Sequence, residues 1–251
     1  MILKKTFTFL VVLFLLSSAG GAQALTPIKD IERYFPDEIG MRWTYEGTIE
    51  EKIQQIATFT NVSTVKGTIR KDGVEVKLFT ESNQGNQGPA ENYFSRNEDS
   101  IVYHGGEPTT VFEEKLVPYL VMQFPLQVGE SFTQVEKKAI PFGRDLDEAG
   151  IEVLAEATAP RSVVGFETAS VPACVFKDAL RLNGLMSIRF ILSSSNEVVE
   201  LVDKTETWFV LNVGMVKGVE TIEFPEIGTI PETVSVIKEV LLTLPESVSK
   251  N

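Results

Sequence analysis

Histidine and cysteine are almost missing from this 251-residue chain, which has one of each, His104 and Cys174. A structural zinc draws three or four ligands from His, Cys and carboxylates, so this donor set is too small for one. One thiol forms no internal disulfide even in an oxidising compartment. Cys174 sits in the apolar run Val171-Pro172-Ala173-Cys174-Val175-Phe176 with no nearby positive charge, which reads as a buried, inert thiol. Ser-His-Asp chemistry would have to use His104 as its base, yet no G-x-S-x-G elbow is present. Tyr103-His104-Gly105-Gly106 reads instead as the end of a hairpin. Gly85 and Gly88 are followed neither by Lys-Ser/Thr nor by a helical pattern, so a phosphate-binding loop is not indicated either.

Basic residues are also scarce. The chain carries 23 Lys plus Arg against 35 Asp plus Glu, a formal charge of −12. Affinity for nucleic acid comes largely from Lys and Arg displacing counterions, which makes DNA or RNA a poor candidate partner. Long apolar runs are lacking beyond the N-terminus, and this excludes a multispan membrane protein. Yet 43% of residues are hydrophobic and 9% aromatic, too many for a disordered chain.

The first 24 residues read as a secretory signal, with Lys4 and Lys5 as the charged region, Phe7 to Leu16 as the apolar region and Ala22-Gln23-Ala24 as a small-x-small cleavage site. The apolar run is about half of the roughly 20 residues needed to span a bilayer. The expectation is a periplasmic or secreted protein whose mature chain starts at Leu25, with no transmembrane span after cleavage. The absence of Cys near the cleavage point closes the lipoprotein route.

From Met41 onward apolar residues recur with period two in runs rich in Val, Ile, Thr and aromatics, the pattern of strands. Lys71-Asp72-Gly73 supplies a tight turn into 74–80, and Tyr93-Phe94-Ser95 and Ile101-Val102-Tyr103 pair across Asn97-Glu98-Asp99. Further strands are expected at 131–138, 151–158, 162–169, 179–192, 198–211, 214–223 and 233–244. Two short helical turns fit 28–34, while 113–122 is ambiguous because Pro118 removes an amide hydrogen. About ten strands in sequential hairpins imply an all-β fold, a strongly curved antiparallel sheet or a partly closed barrel, formed as a single domain over 25–251. One internal echo is present: residues 35–44 and 124–133 both fit F-P-x-x-[IV]-G-x-x-[WF]-T. It reads as a reused turn into a strand or as a duplicated ligand cradle.

Two acidic patterns bear on chemistry. Asp145, Asp147, Gly150 and Glu156 fall at positions one, three, six and twelve of an EF-hand loop, but Ala149 and Val153 bring no oxygen and the flanks alternate like strands. An acidic solvated loop is the simpler reading, and no metal or cofactor is expected. A pair of carboxylates could serve a hydrolase, but the sequence singles out no such pair.

The motifs Tyr34-Phe35-Pro36 with Gly40, Trp43 and Tyr45, then Val171-Pro172-Ala173 with Phe176-Lys177-Asp178, then Trp208-Phe209 with Val213-Gly214-Met215-Val216-Lys217, resemble an uncharacterised family of secreted bacterial proteins. That family opens with Y-[FY]-P-L-x-x-G-x-x-W-x-Y, carries V-P-A-G-x-F-x-D and closes with W-[FY]-x-x-x-V-G-x-V-K. The chain departs from the pattern at Asp37, where Leu is usual, and at Cys174, where Gly is usual. The resemblance implies an all-β envelope or secreted domain of undefined function, akin by analogy to lipoprotein carriers, and it brings no catalytic residues. The expected function is non-catalytic: a monomer whose concave, apolar-lined face holds an apolar ligand or a partner segment. Trp43, Tyr45, Phe79, Tyr93, Phe94 and Trp208 are the candidates to line it. The alternatives are a structural envelope protein that pairs through sheet edges without a small ligand, and a carboxylate-dependent hydrolase.

The signal assignment predicts that the exported protein begins at Leu25. Intact-mass measurement checks it, and retention of residues 1–24 would refute it.

Overall fold

The computed structural model describes residues 27–51, 54–109, 111–144, 152–192, 197–223 and 234–237. The signal segment and the acidic stretch 145–150 lie outside them. A one-turn helix α1 (Ile31–Tyr34) precedes β1 (Arg42–Glu51), β2 (Gln54–Lys71), β3 (Val74–Glu81), β4 (Ala90–Arg96) and β5 (Ser100–Glu107). Helix α2 (Val111–Leu116) and β6 (Tyr119–Gln123) follow, then β7 (Ser131–Arg144), β8 (Glu152–Val171), β9 (Cys174–Leu192), β10 (Glu197–Val210), β11 (Gly214–Glu223) and β12 (Val234–Ile237). Among the described residues twelve strands form one sheet in the order β6-β5-β4-β3-β2-β1-β12-β11-β10-β9-β8-β7. Every pairing is antiparallel, and the fold class is the curled all-β sheet that the period-two pattern implies.

Strands β6 and β7 are consecutive in sequence yet form the two edges. The sheet curls until those edges approach, and side chains join them: Arg161 Nη1 donates to the Val121 carbonyl at 3.0 Å, and Lys137 Nζ to the carbonyls of Lys115 and Val117 at 3.0 and 3.2 Å. Among the described residues no ladder pairs β6 with β7. The architecture is therefore a half-barrel closed by cationic struts.

The echo in the sequence marks a duplicated plan. Gly40 and Gly129 both adopt positive φ (90° and 87°), a conformation in which a Cβ would strain the backbone. Gly40 N–H donates to the Val65 carbonyl and Gly129 N–H to that of Val163, at 2.9 and 2.8 Å. In return Val65 N–H donates to Met41 O, and Val163 N–H to Glu130 O. The register then shifts just beyond each valine, at Val65/Gly67 against β3 and at Val163/Gly165 against β9. From this alignment Ser63 corresponds to Arg161, Glu81 to Gly184 and Phe79 to Leu182, since each occupies the same ladder position in its half. Carried one strand further, Asn92 corresponds to Thr207 and Phe94 to Phe209.

Alternation assigns the interior. On β8 it carries Ala155, Ala157, Ala159, Arg161 and Val163, and on β9 Leu180, Leu182, Gly184 and Ile188. One apolar cluster packs Ile31 and Tyr34 of α1 against Ile101, Met122, Leu126, Leu180, Leu182 and Phe209. A second packs Leu116 of α2 against Val135, the β8 alanines, Ile188, Phe190 and Val199. A third, around Trp43, Tyr45, Val65 and Phe79, borders the cavity described below.

Several expectations are corrected. The helical segment 28–34 is one turn, with Ile28 instead bridging Leu126, and 113–122 divides into the end of α2 and strand β6. The strands expected at 151–158 and 162–169 are one, β8, because Pro160 falls where the β8–β9 ladder is open between Thr158 and Arg161, so its missing N–H costs no bond there. His104 lies inside β5 and not at a hairpin end. Cys174 is exposed, not buried: Pro172-Ala173 form the two-residue turn of the β8–β9 hairpin, and this carries the thiol to the hairpin tip.

The paired turns predict that Gly40→Ala and Gly129→Ala each destabilise the fold by about 1 to 2 kcal/mol. Gly67→Ala, in open space without positive φ, should stay within about 0.5 kcal/mol. Urea unfolding of the three variants checks this, and equal effects at all three sites would contradict it.

Candidate functional site

A cavity of about 280 Å³ opens on the concave face of the first half of the sheet. Strand alternation aims Trp43 and Tyr45 of β1, Asn61 and Ser63 of β2, Phe79 and Glu81 of β3, and Asn92 and Phe94 of β4 into it. Phe35 and Pro36 cover one side, and Val121, Phe209, Gly214 and Met215 another. Gly214, at φ 87°, brings the β10–β11 turn against Pro36: a Cβ there would lie 3.3 Å from the ring Cδ.

The aromatic walls are held in place by their own polar tips. Trp43 Nε1 donates to Val213 O at 2.7 Å and the Tyr45 hydroxyl to Met215 O at 3.2 Å, which ties β1 across the cavity to the start of β11. Burial, reinforced by the charge of Glu81, raises the Tyr45 pKa well above its ordinary value, so the phenol stays a donor. Phe35, Phe79 and Phe94 meet at centroid distances of 5.2 to 5.6 Å, the spacing of favourable tilted and edge contacts.

One end of the cavity is polar. Asn61 Nδ2 donates to Glu81 Oε2 and Ser63 Oγ to Glu81 Oε1, both at 2.7 Å. Asn92 Nδ2 donates to Gln84 Oε1 at 3.0 Å. Behind Asn92 the Tyr103 hydroxyl lies between Asn92 Oδ1 at 3.0 Å and Glu113 Oε1, with Gly106 leaving room for the contact. Glu81 is the one carboxylate among the lining residues.

Of the six sequence candidates, Trp43, Tyr45, Phe79 and Phe94 come together here, and Tyr93 and Trp208 do not. Alternation turns Tyr93 away from its neighbour Phe94. Lys71 Nζ sits 3.7 Å above its ring, and its hydroxyl donates to Glu91 at 2.6 Å. Trp208 stands opposite the inward Phe209, flanked by its cross-strand partners Arg181 and Lys217, and donates its N–H to Glu167 at 2.6 Å. Sequence reasoning missed Phe35, Phe209 and Met215, which come from turns and a distant strand. It also missed Asn61 and Ser63. Their signal was present, because Phe59, Asn61, Ser63 and Val65 share one phase of β2 and place two polar groups on an apolar face.

Among the described residues the second half differs at the corresponding position, and the cleft it carries, lined by Ser131, Ser162, Asn183, Gly184, Lys204 and Glu206 among others, has no aromatic wall. Where Ser63 and Glu81 face the cavity, Arg161 and Gly184 fill the corresponding space. Arg161 is buried, lies over Gly184 and donates through Nη2 to Thr207 Oγ1 at 2.7 Å. Cross-strand pairing sets Arg161, Gly184, Thr205 and Glu220 in one row, with Asp203 one inward position along β10. Burial raises the pKa of Asp203 to about 7, helped by Glu220 and opposed by Arg161, and burial raises that of Glu220 too. These two acids converge away from the cavity lining.

Ser95 Oγ lies 2.8 Å from His104 Nε2, and neither group lines the cavity. Burial, then the charge of Lys71, lowers the His104 pKa.

No protein-family model and no curated protein matches the chain. Two solved structures are similar to it. One is a protein from Bacteroides fragilis described as exported and of YmcC-like fold, with 14% identity over 83% of this chain and 98% of its own, at a TM-score of 0.39. The other, from Parabacteroides distasonis and described as a lipoprotein, has 13% identity over the same shares at a TM-score of 0.38. At these scores neither similarity bears on function.

Asp203 sets a pH dependence. Asp203 binds its proton more tightly folded than unfolded, so its contribution to stability is present below about pH 4 and is lost as pH rises toward about 7. Asp203→Asn should therefore flatten that decline and be more stable than the parent above pH 7. Melting temperatures across pH 4 to 8 check this, and an Asp203→Asn variant less stable than the parent at pH 8 would contradict it.

Proposed function

We propose that this chain is a non-catalytic binding protein of the envelope or secreted space, in which the cavity on the concave face of β1–β4 holds the apolar part of a ligand. The location rests on the N-terminal signal pattern. The binding role rests on one observation: a 280 Å³ space walled by Phe35, Trp43, Tyr45, Phe79, Phe94, Phe209 and Met215 persists inside a sheet whose second half fills the corresponding space with side chains. Other clefts of the surface are as large, but this one is walled by rings with a few convergent polar groups, the make-up of a small-molecule site. The Trp43 and Tyr45 hydrogen bonds fix these two rings in place against β11, so little reordering is needed on binding.

The reading of an envelope protein that associates through sheet edges draws on β7, which runs 14 residues as an edge while β6 opposite it runs five.

A fluorescent apolar probe is expected to bind the native monomer saturably. Phe94→Asn, at a half-buried wall position, should weaken it by about tenfold through loss of apolar contact while the far-UV dichroism is retained. A natively folded monomer that binds no probe would shift the assignment to edge association.

A further inference from the structure

We infer that the ligand of this cavity is a cationic amphiphile, an apolar chain bearing an ammonium head that seats against Glu81. The inference rests on the cavity being a ligand site and adds the chemistry of the head. It follows from the charges and hydrogen bonds of the lining. Trp43 and Tyr45 each have one donor, and both are committed to backbone carbonyls. The one hydroxyl hydrogen of Ser63 goes to Glu81, as does one amide hydrogen of Asn61.

Glu81 thus accepts two hydrogen bonds of the roughly four its two oxygens can take. Among the described residues it forms no ion pair, and no Lys or Arg lines the cavity. Neutral amide donors remain at this end on Asn61, Gln84 and Asn92, but the one charged group among the described lining residues is the Glu81 carboxylate, beside the rings of Trp43, Tyr45, Phe79 and Phe94. Ring faces attract cations, and a carboxylate among them is the arrangement that recognises ammonium groups. A carboxylate or phosphate head would instead meet like charge in a partly dehydrated space, at a cost that apolar contact has to overcome. The formal charge of −12 favours the approach of the same class of ligand.

The ladder supports an assigned role for this position. The residue that corresponds to Glu81 in the other half is Gly184, and its space is taken by the buried cation Arg161 and by Thr205. In that half a guanidinium of the protein sits at the polar level of the interior. In the first half the same level carries the acid with no cation of its own.

The test compares dodecylamine, dodecanol and dodecanoate, each below its micelle-forming concentration, as displacers of the apolar probe at pH 7 and low salt. Dodecylamine is expected to bind about tenfold more tightly than dodecanol, and dodecanoate more weakly than either. Glu81→Gln should erase the preference of amine over alcohol and leave dodecanol within about twofold. Lysophosphatidylethanolamine, whose ammonium adjoins a phosphate, distinguishes a lipid headgroup from a free amine according to whether it displaces the probe more or less strongly than dodecanol. If dodecanol binds and dodecylamine is no tighter, the cationic assignment fails while the apolar site stands. If none of the compounds displaces the probe, or the probe itself does not bind, both fall. The parent-protein ranking decides the matter even if Glu81→Gln does not fold.

Discussion

A sheet of twelve strands that curls this far has to do something with its two edges, and here a buried guanidinium joins them. Arg161 reaches from β8 across the interior to a β6 carbonyl, and Lys137 reaches from β7 to the carbonyls that follow α2. Both struts end on the α2–β6 segment, which carries Glu113 against Tyr103 and Val121 into the cavity wall. Burying a cation is costly unless it is paired and hydrogen-bonded. The protein offsets that cost in part, with hydrogen bonds to Val121 O and Thr207 and with the charge of Asp203, while Arg161 Nε has no partner among the described residues and burial lowers the guanidinium pKa to about 10. Gly184 is part of the same arrangement, since a Cβ there would lie 2.4 Å from Thr205 Oγ1.

The cavity is the counterpart of that strut. The two halves share a turn, a register shift and a ladder, and they diverge at the polar level of the interior. One half closes the half-barrel with Arg161 over glycine; the other keeps Ser63, Glu81 and Asn92 around an open space. A single plan used twice thus gives Arg161 at this level in one half and an aromatic-walled cleft in the other. The duplicated-cradle reading of the echo is accordingly half realised: the turn is duplicated and the cradle is not.

The placement of aromatics shows why adjacent residues in one motif take different roles. Phe94 and Phe209 enter the interior at corresponding positions, and their neighbours Tyr93 and Trp208 are turned to the other face of the sheet, where Tyr93 is buried under Lys71 and Trp208 between Arg181 and Lys217. Alternation alone decides this, and the phase of β4 and β10 is set by bulges at Asn92/Phe94 and Trp208/Phe209. An aromatic pair in sequence reveals a strand but not which member faces in.

Most strands, the hairpin order, the Asp72-Gly73 turn and the paired F-P-x-x-[IV]-G motifs were legible in the sequence, because each leaves a local signal: period-two alternation, glycine at positive φ and proline before a strand. Four cavity residues were legible for the same reason, as aromatics in strand phase. The merging of two expected strands across Pro160, the exposure of Cys174 on a two-residue turn and the division of 113–122 between helix and strand depended on neighbours far along the chain. So did the site itself. Trp43 meets Val213 across 170 residues and Arg161 meets Val121 across 40, and no local pattern encodes either contact. The sequence determined that the chain alternates and turns as an antiparallel sheet. Only the curl of that sheet, which brings β1 to β11 and β8 to β6, decided where a cavity would remain and which charge would be left facing it.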